Sequence, residues 1–289
     1  MLQLSQGLCS TRTRAAWLLQ EMQHQEVLTY AAAVAYRFGV AFLPCLVGAL
    51  ALLGVLHVSP PPGLVTHGPL ARVVPRTVRH TIAAAWLSLA VHRHPALFSA
   101  GEAGFVVGMA GVVRQLEAAM DRIAKVPWGQ KPRGWRSYVR SLILGIGLGV
   151  VVMGGLGILS LPLGLLARVL PVPLRLIGPL RLGRWGILIL GVGFLSEALY
   201  VVLPHCPRTW RWVDPGAFTA VALWVAGSAA FSLYLAHVPT YQDLYGGLAA
   251  ILIGGLYAYW VALAFLLGAV VSMSSDDHGS GMVKSRRIS

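Results

Sequence analysis

Glu102, Glu197 and Arg37 are ionisable residues set inside long apolar runs of this sequence. Charge at membrane depth is costly, and residues that carry it there mark proton relays, ion pathways or substrate contacts by default. Two carboxylates in separate apolar runs suit proton or cation coupling, in which a carboxyl group alternately takes up and releases its ion. An ion pair with Arg37 or Arg114 would satisfy the same acids structurally, and buried charges are more often paired than catalytic. Arg37 lies only about 10 Å, at helical rise, from where its run begins. Its guanidinium is close enough to snorkel to the inner headgroups, the reading we favour.

A second polar cluster joins two apolar runs. His237, Tyr241, Gln242, Asp243 and Tyr245 fall within ten residues that end at Gly246. Together they suit the outer mouth of a cavity. Taken singly, Tyr241 and Tyr245 suit interfacial anchors and Asp243 a helix cap. His92 and His94 lack a third ligand and read as loop residues, so no metal is expected. Cys9, Cys45 and Cys206 are far apart and form no CxxC, which excludes a disulfide framework or zinc site. No GxSxG elbow is present, and no GK[ST] follows the glycines after Gly145. The acids are scattered, with no histidine-rich run to hold a catalytic metal. The expectation is a protein that is not an enzyme, with no catalytic residue, cofactor or nucleic-acid partner.

The elements that position these residues are membrane spans. Only 11% of the 289 residues are charged and mean hydropathy is +0.70. A soluble domain carries about 25% charged residues, so most of this surface must face lipid. The runs Ala217 to Ala236 and Leu248 to Val271 each have the roughly 20 residues needed to cross hydrocarbon. The fold class predicted is all-α, a polytopic transmembrane bundle of about six spans. They lie near Thr29–Leu56, Leu97–Val113, Tyr138–Leu166, Trp185–Leu203, from Pro215 onward, and Leu248–Val271. Pro44 should kink the first. The second should run on as a charged helix to Pro127, with Arg114/Glu117 and Asp121/Lys125 at helical spacing. Asp214 and Pro215 suit the N-cap and first turn of the fifth. The series Gly246, Ala250, Gly254, Ala258 and Ala262 should receive a neighbouring helix at short range. Arg72 to Ala90 reads as an amphipathic surface helix between spans one and two.

Domain organisation follows: residues 1–28 a cytoplasmic lead-in without a signal-peptide pattern, 29–273 the membrane domain, 274–289 a polar, disordered cytoplasmic tail. With six spans both ends share a side, and that side carries 14 Lys and Arg against 8 on the other. The positive-inside rule therefore places both termini in the cytoplasm. The formal charge of +13 points to anionic headgroups at the cytoplasmic face as partners.

The ordered series RWVDPGA, FSLY, TYQDLYGGLAA and LLGA, together with AAAVAYRFGVAFLP near the start, resembles the YihY/virulence factor BrkB family of bacterial inner-membrane proteins. The segment Leu116 to Val126 fits that family's cytoplasmic helix. The resemblance spans about Thr29 to Met273 and implies six membrane helices with both ends inside. Members have been described as transporters, linked to serum resistance and lipid export, and labelled ribonuclease BN. This chain departs from the pattern at three places. Val270 stands where a glutamate usually follows LLGA, Ala41 where a serine is common, and Arg37 is not expected. The functional expectation is transport or export of a small solute or lipid through an intramembrane cavity. The alternative is a non-transporting organiser that binds lipids or partner proteins, or its own copies as a homo-oligomer, through a basic inner face.

Overall fold

In a computed structural model the described residues are 26–55, 95–127, 134–160, 177–206, 208, 210, 214–237 and 247–285. Among them are six α-helices and no strand. We number them α1 (Val27–Val55), α2 (Pro95–Ile123), α3 (Trp135–Ser160), α4 (Ile177–Val202), α5 (Pro215–His237) and α6 (Gly247–Ser285). Five carry stretches long and apolar enough to cross a membrane; α4 contributes the shorter apolar stretch Gly186–Val202. Its 17 residues still reach the lower end of the spanning range. The all-helical, polytopic expectation holds. The surface helix expected at Arg72 to Ala90 lies outside the described residues, as do Tyr241, Asp243, Tyr245 and Gly246.

Local sequence explains the helix ends. Asp214 caps α5, its Oδ2 accepting from the N–H of Ala217 at 2.9 Å, with Pro215 in the first turn. This is the cap expected from the sequence. α2 stops at Ile123, earlier than Pro127, because Lys125 takes a left-handed conformation (φ 53°). The Val126 N–H then reaches back to the Asp121 carbonyl at 2.9 Å and closes the helix end. Pro44 sits inside α1 without ending it, leaving the Val40 carbonyl without its usual helical donor. α4 starts eight residues before the expected Trp185 and takes Arg181 and Arg184 into the helix. The polar tail expected to be disordered from Ser274 is instead helical to Ser285. Ser274 and Ser275 fold their hydroxyls onto the Val271 carbonyl at 2.9 Å, so the polar residues do not break the last turns.

Successive helices alternate in direction. Arg37 lies against Gly111, Ala41 against Gly108 and Gly48 against Gly101, so α1 and α2 are antiparallel. Gly145 meets Ala110 and Ser141 meets Glu117, which sets α3 antiparallel to α2. Gly216 meets Gly268 and Gly227 meets Trp260 along α5 and α6. One pole of the bundle therefore gathers the start of α1, the end of α2, the start of α3, the end of α4, the start of α5 and the Ser272 stretch of α6.

Packing is by small residues, as expected where lipid removes the hydrophobic drive between helices. A Cβ built at Gly101 would lie 2.6 Å from Gly48 Cα, and one at Gly104 would lie 2.8 Å from Pro44 Cβ. Of the expected α6 ladder, Ala262 is buried in the core, while Gly254 is exposed and a Cβ there would meet none of the described residues within 4 Å. The close face of α6 is one of Gly268 and Ser272, set against Gly216 and Ala220 of α5. Four-residue spacing of small residues is present on more than one face of a helix that is apolar all round, so spacing alone does not pick the contact face. Large apolar side chains such as Ile143, Val150, Leu190, Phe218 and Ile251 point outward, the surface expected when hydrocarbon is the solvent.

Candidate functional site

The pole that gathers the helix ends is also where the buried charge collects. Glu117, Asp121, Glu197 and Asp214 are all buried, four of only ten acids in the chain. Each of three acids meets a cation or proton donor from another element. Ser141 Oγ donates to Glu117 Oε2 at 2.8 Å, and Arg140 Nε lies 3.7 Å from Oε1. Arg140 also donates through Nη2 to the Val202 carbonyl and, at 3.2 Å, to the Leu203 carbonyl. Those carbonyls close α4, where helix geometry leaves acceptors unpaired and a cation is favoured.

Asp121 is bound by His205, in the turn after α4. The His205 backbone N–H donates to Oδ1 at 3.0 Å, and ring Nδ1 lies 3.0 Å from Oδ1 and 2.9 Å from Oδ2. A carboxylate only accepts, so Nδ1 carries the proton. Ring Nε2 is buried and makes no hydrogen bond among the described residues. Asp214, besides capping α5, lies 3.3 Å from Arg208 Nη2 and accepts from Ser272 Oγ. Arg208 Nη2 also donates to Ser272 Oγ. Tyr200 completes the layer. Its hydroxyl donates to the Phe265 carbonyl at 2.7 Å, and the two rings lie 4.9 Å apart.

The sequence candidates are distributed differently from expectation. Glu197 belongs to the polar pole, one turn before Tyr200 on α4. Glu102 does not join it. It sits at the α1–α2 crossing, where a Cβ on Gly48 would lie 3.3 Å from its Oε1. Glu117 is fifteen residues further along α2, about 22 Å at helical rise. Arg37 points its Nη1 at the Gly111 carbonyl, 3.5 Å away, and the Arg114 guanidinium lies 5.8 Å from the centre of the Tyr138 ring. Neither arginine meets a carboxylate among the described residues, so the expected pairing with Glu102 or Glu197 is replaced by these contacts. His237 is the last residue of α5.

Arg37 also lines a groove of about 460 Å³ between α1 and α2. Tyr36 and Val40 form one wall, Val107 and Gln115 the other, with Gly108 and Gly111 as the floor. Sequence reasoning missed the pole itself. Its only signal was that Glu117 and Asp121 fall four residues apart on a helix whose neighbours at Leu116, Ala119 and Met120 are apolar, so both acids turn toward the core.

Arg140, at the start of the third span expected from the sequence, ties that helix to α2 and to the end of α4 in the structure. Arg140→Glu is expected to lower the thermal midpoint of the purified protein by several degrees, because it places a second carboxylate beside Glu117. Arg136→Glu, at an exposed position on the same helix, is expected to change it little. Thermal unfolding in detergent, followed by tryptophan fluorescence, makes the comparison.

These features define an integral membrane protein built from alternating apolar helices tied by a polar layer at one pole. The chain belongs to the Virulence factor BrkB family, which it matches over residues 18–286. It is similar to a UPF0761 membrane protein of Legionella pneumophila (strain Corby), 39% identical over 80 residues, 28% of this chain and 19% of that protein. It is also similar to the UPF0761 membrane protein YihY of Escherichia coli O1:K1 / APEC, 36% identical over 28% of each chain. A Bacillus subtilis (strain 168) protein named as ribonuclease-like, YfkH, is 30% identical over 89 residues, 31% of this chain and 32% of that protein. The matched segments thus span about a fifth to a third of these relatives. No solved structure matches the chain.

Proposed function

We propose that the protein moves a small solute or lipid across the bacterial inner membrane, both ends in the cytoplasm, and that the polar pole is its ion-responsive element. The supporting observation is the Asp121–His205 couple. A buried carboxylate holds the imidazole through Nδ1 and leaves Nε2 buried without a hydrogen bond. The pair joins α2 to the α4–α5 turn, so an ion that competes for the carboxylate acts on helix position. Glu117 and Asp214 hold the neighbouring helix ends through Arg140 and Arg208.

The test uses proteoliposomes of the full chain. Exchange of a fluorescent phospholipid between leaflets and release of a panel of small solutes are measured against empty liposomes. One of these is expected to run faster with protein present. Asp121→Asn and His205→Gln should each slow it at least about tenfold, the equivalent of about 1.4 kcal/mol in a barrier, while Arg136→Gln should not. No acceleration of any probe would sink the transport reading.

The organiser reading rests on one observation: Trp135 and Arg136 stand exposed at the start of α3, beside the basic connector. It predicts that Arg136→Glu weakens capture of partner proteins with transport assays silent. We read the chain as not an enzyme. Among the described residues no three His, Cys, Asp or Glu side chains group to hold a metal, and Glu117, Asp121 and Asp214 are engaged with Arg140, His205 and Arg208. The ribonuclease-like name stays with the Bacillus protein.

A further inference from the structure

The groove between α1 and α2 has a polarity gradient along the membrane normal. Because the two helices are antiparallel, Gln115 lies at the polar-pole end, Arg37 and Gly111 lie one turn deeper, and Val40 and Val107 lie deeper still. The interfacial level at this pole is marked by Arg114 over Tyr138 and by exposed Trp135, aromatic residues of the kind that sit among headgroups. The guanidinium is therefore held about one helical turn, roughly 5 Å, below that level. Among the described residues no acid lines the groove. Tyr36 and Val107 are 74% and 57% exposed, so it opens sideways to lipid and not to the bundle interior.

We propose that this groove is a binding site for one phospholipid of the adjacent leaflet. Its phosphate sits on Arg37 and Gln115, and an acyl chain lies along Val40 and Val107. An arginine fork matches phosphate oxygens two at a time, and the missing acids leave its charge for a ligand to neutralise. Gly111, whose Cβ position meets only the Arg37 tip, lets the glycerol region approach the α2 backbone. A volume of about 460 Å³ holds a headgroup and glycerol but not a whole lipid, so the chains continue along the outer surface. The site requires no transport and does not depend on the pole.

The full chain in detergent is delipidated and titrated with phosphatidylglycerol, phosphatidylcholine or inorganic phosphate, and bound adducts are counted by native mass spectrometry. Wild type is expected to hold one phosphatidylglycerol at least about tenfold more tightly than Arg37→Gln does, with Arg37→Lys between them because it keeps the charge and loses the fork. Gly111→Leu, which fills the floor with only the movable Arg37 tip in its way, should weaken binding comparably. Arg136→Gln should not. Phosphatidylcholine should show the same dependence on Arg37, since it shares the phosphate, and inorganic phosphate should give no Arg37-dependent adduct. Equal phosphatidylglycerol affinity in wild type and Arg37→Gln overturns the proposal. So does equal weakening by Arg136→Gln, which marks general charge attraction, and so does inorganic phosphate binding as tightly as the lipid, which marks a free-anion site.

Discussion

Gly101→Leu is expected to destabilise the bundle by at least about 3 kcal/mol, the upper range for overpacking a core. The reason is where the collision falls. A Cβ at this position would lie 2.6 Å from both Gly48 Cα and Gly48 N, and 2.8 Å from the Pro44 carbonyl oxygen. Those are backbone atoms, so no rotamer change relieves the overlap and α1 and α2 must separate. Pro44 sharpens the effect, since α1 bears its weakest backbone hydrogen bonding next to this contact. Gly39→Ala is the comparison. Nothing lies within 4 Å of its Cβ position, and replacing a helical glycine by alanine favours the helix by up to about 1 kcal/mol. Size-exclusion profiles and thermal midpoints in detergent should show Gly101→Leu aggregated or strongly shifted and Gly39→Ala unchanged or slightly raised. A Gly101→Leu protein that elutes and melts like wild type would mean that the two helices do not cross here.

The second large effect is expected at Asp214. Asp214→Ala removes the α5 cap, worth about 1 kcal/mol in general. It also takes the carboxylate from Arg208, whose side chain is 6% exposed. Removing one partner of a buried ion pair costs about 3–5 kcal/mol because the other charge is left uncompensated. The combined loss should place the variant near the edge of folding. The double variant Asp214→Ala/Arg208→Met removes the stranded charge along with its partner and should recover about half of that loss. Asp214→Ser keeps the cap and loses the carboxylate, so it should fall between wild type and Asp214→Ala. If the double variant is no more stable than Asp214→Ala, the ion pair contributes nothing and the cap alone explains the position.

The sequence carried the apolar helices because an apolar run of spanning length is a local property. It also carried the α5 cap, since Asp214 and Pro215 are adjacent to the helix that they start. It did not carry the polar pole. Asp121 and His205 are 84 residues apart, and Ser272 is 58 from Asp214. Nothing local tells an acid which distant cation it will meet. Glu117 and Asp121 looked like surface charges because a surface helix offers the same spacing to solvent. Glu197 was legible as buried because its whole span is apolar. Glu102 was read as its companion because sequence gives depth along each helix but not the rotation of one helix against another. The same gap hid the close approach at Gly268 and Ser272, where a serine breaks the small-residue pattern.

The arginine that grips the last carbonyls of α4 has a mechanical consequence. Away from that junction α3 exposes Val150 and Val151 and α4 exposes Ile187, Leu190 and Phe194. The guanidinium thus works as a rivet between two helices at one end of the bundle: it holds the last turn of α4 to the opening turns of α3 while their outer faces stay free to meet hydrocarbon.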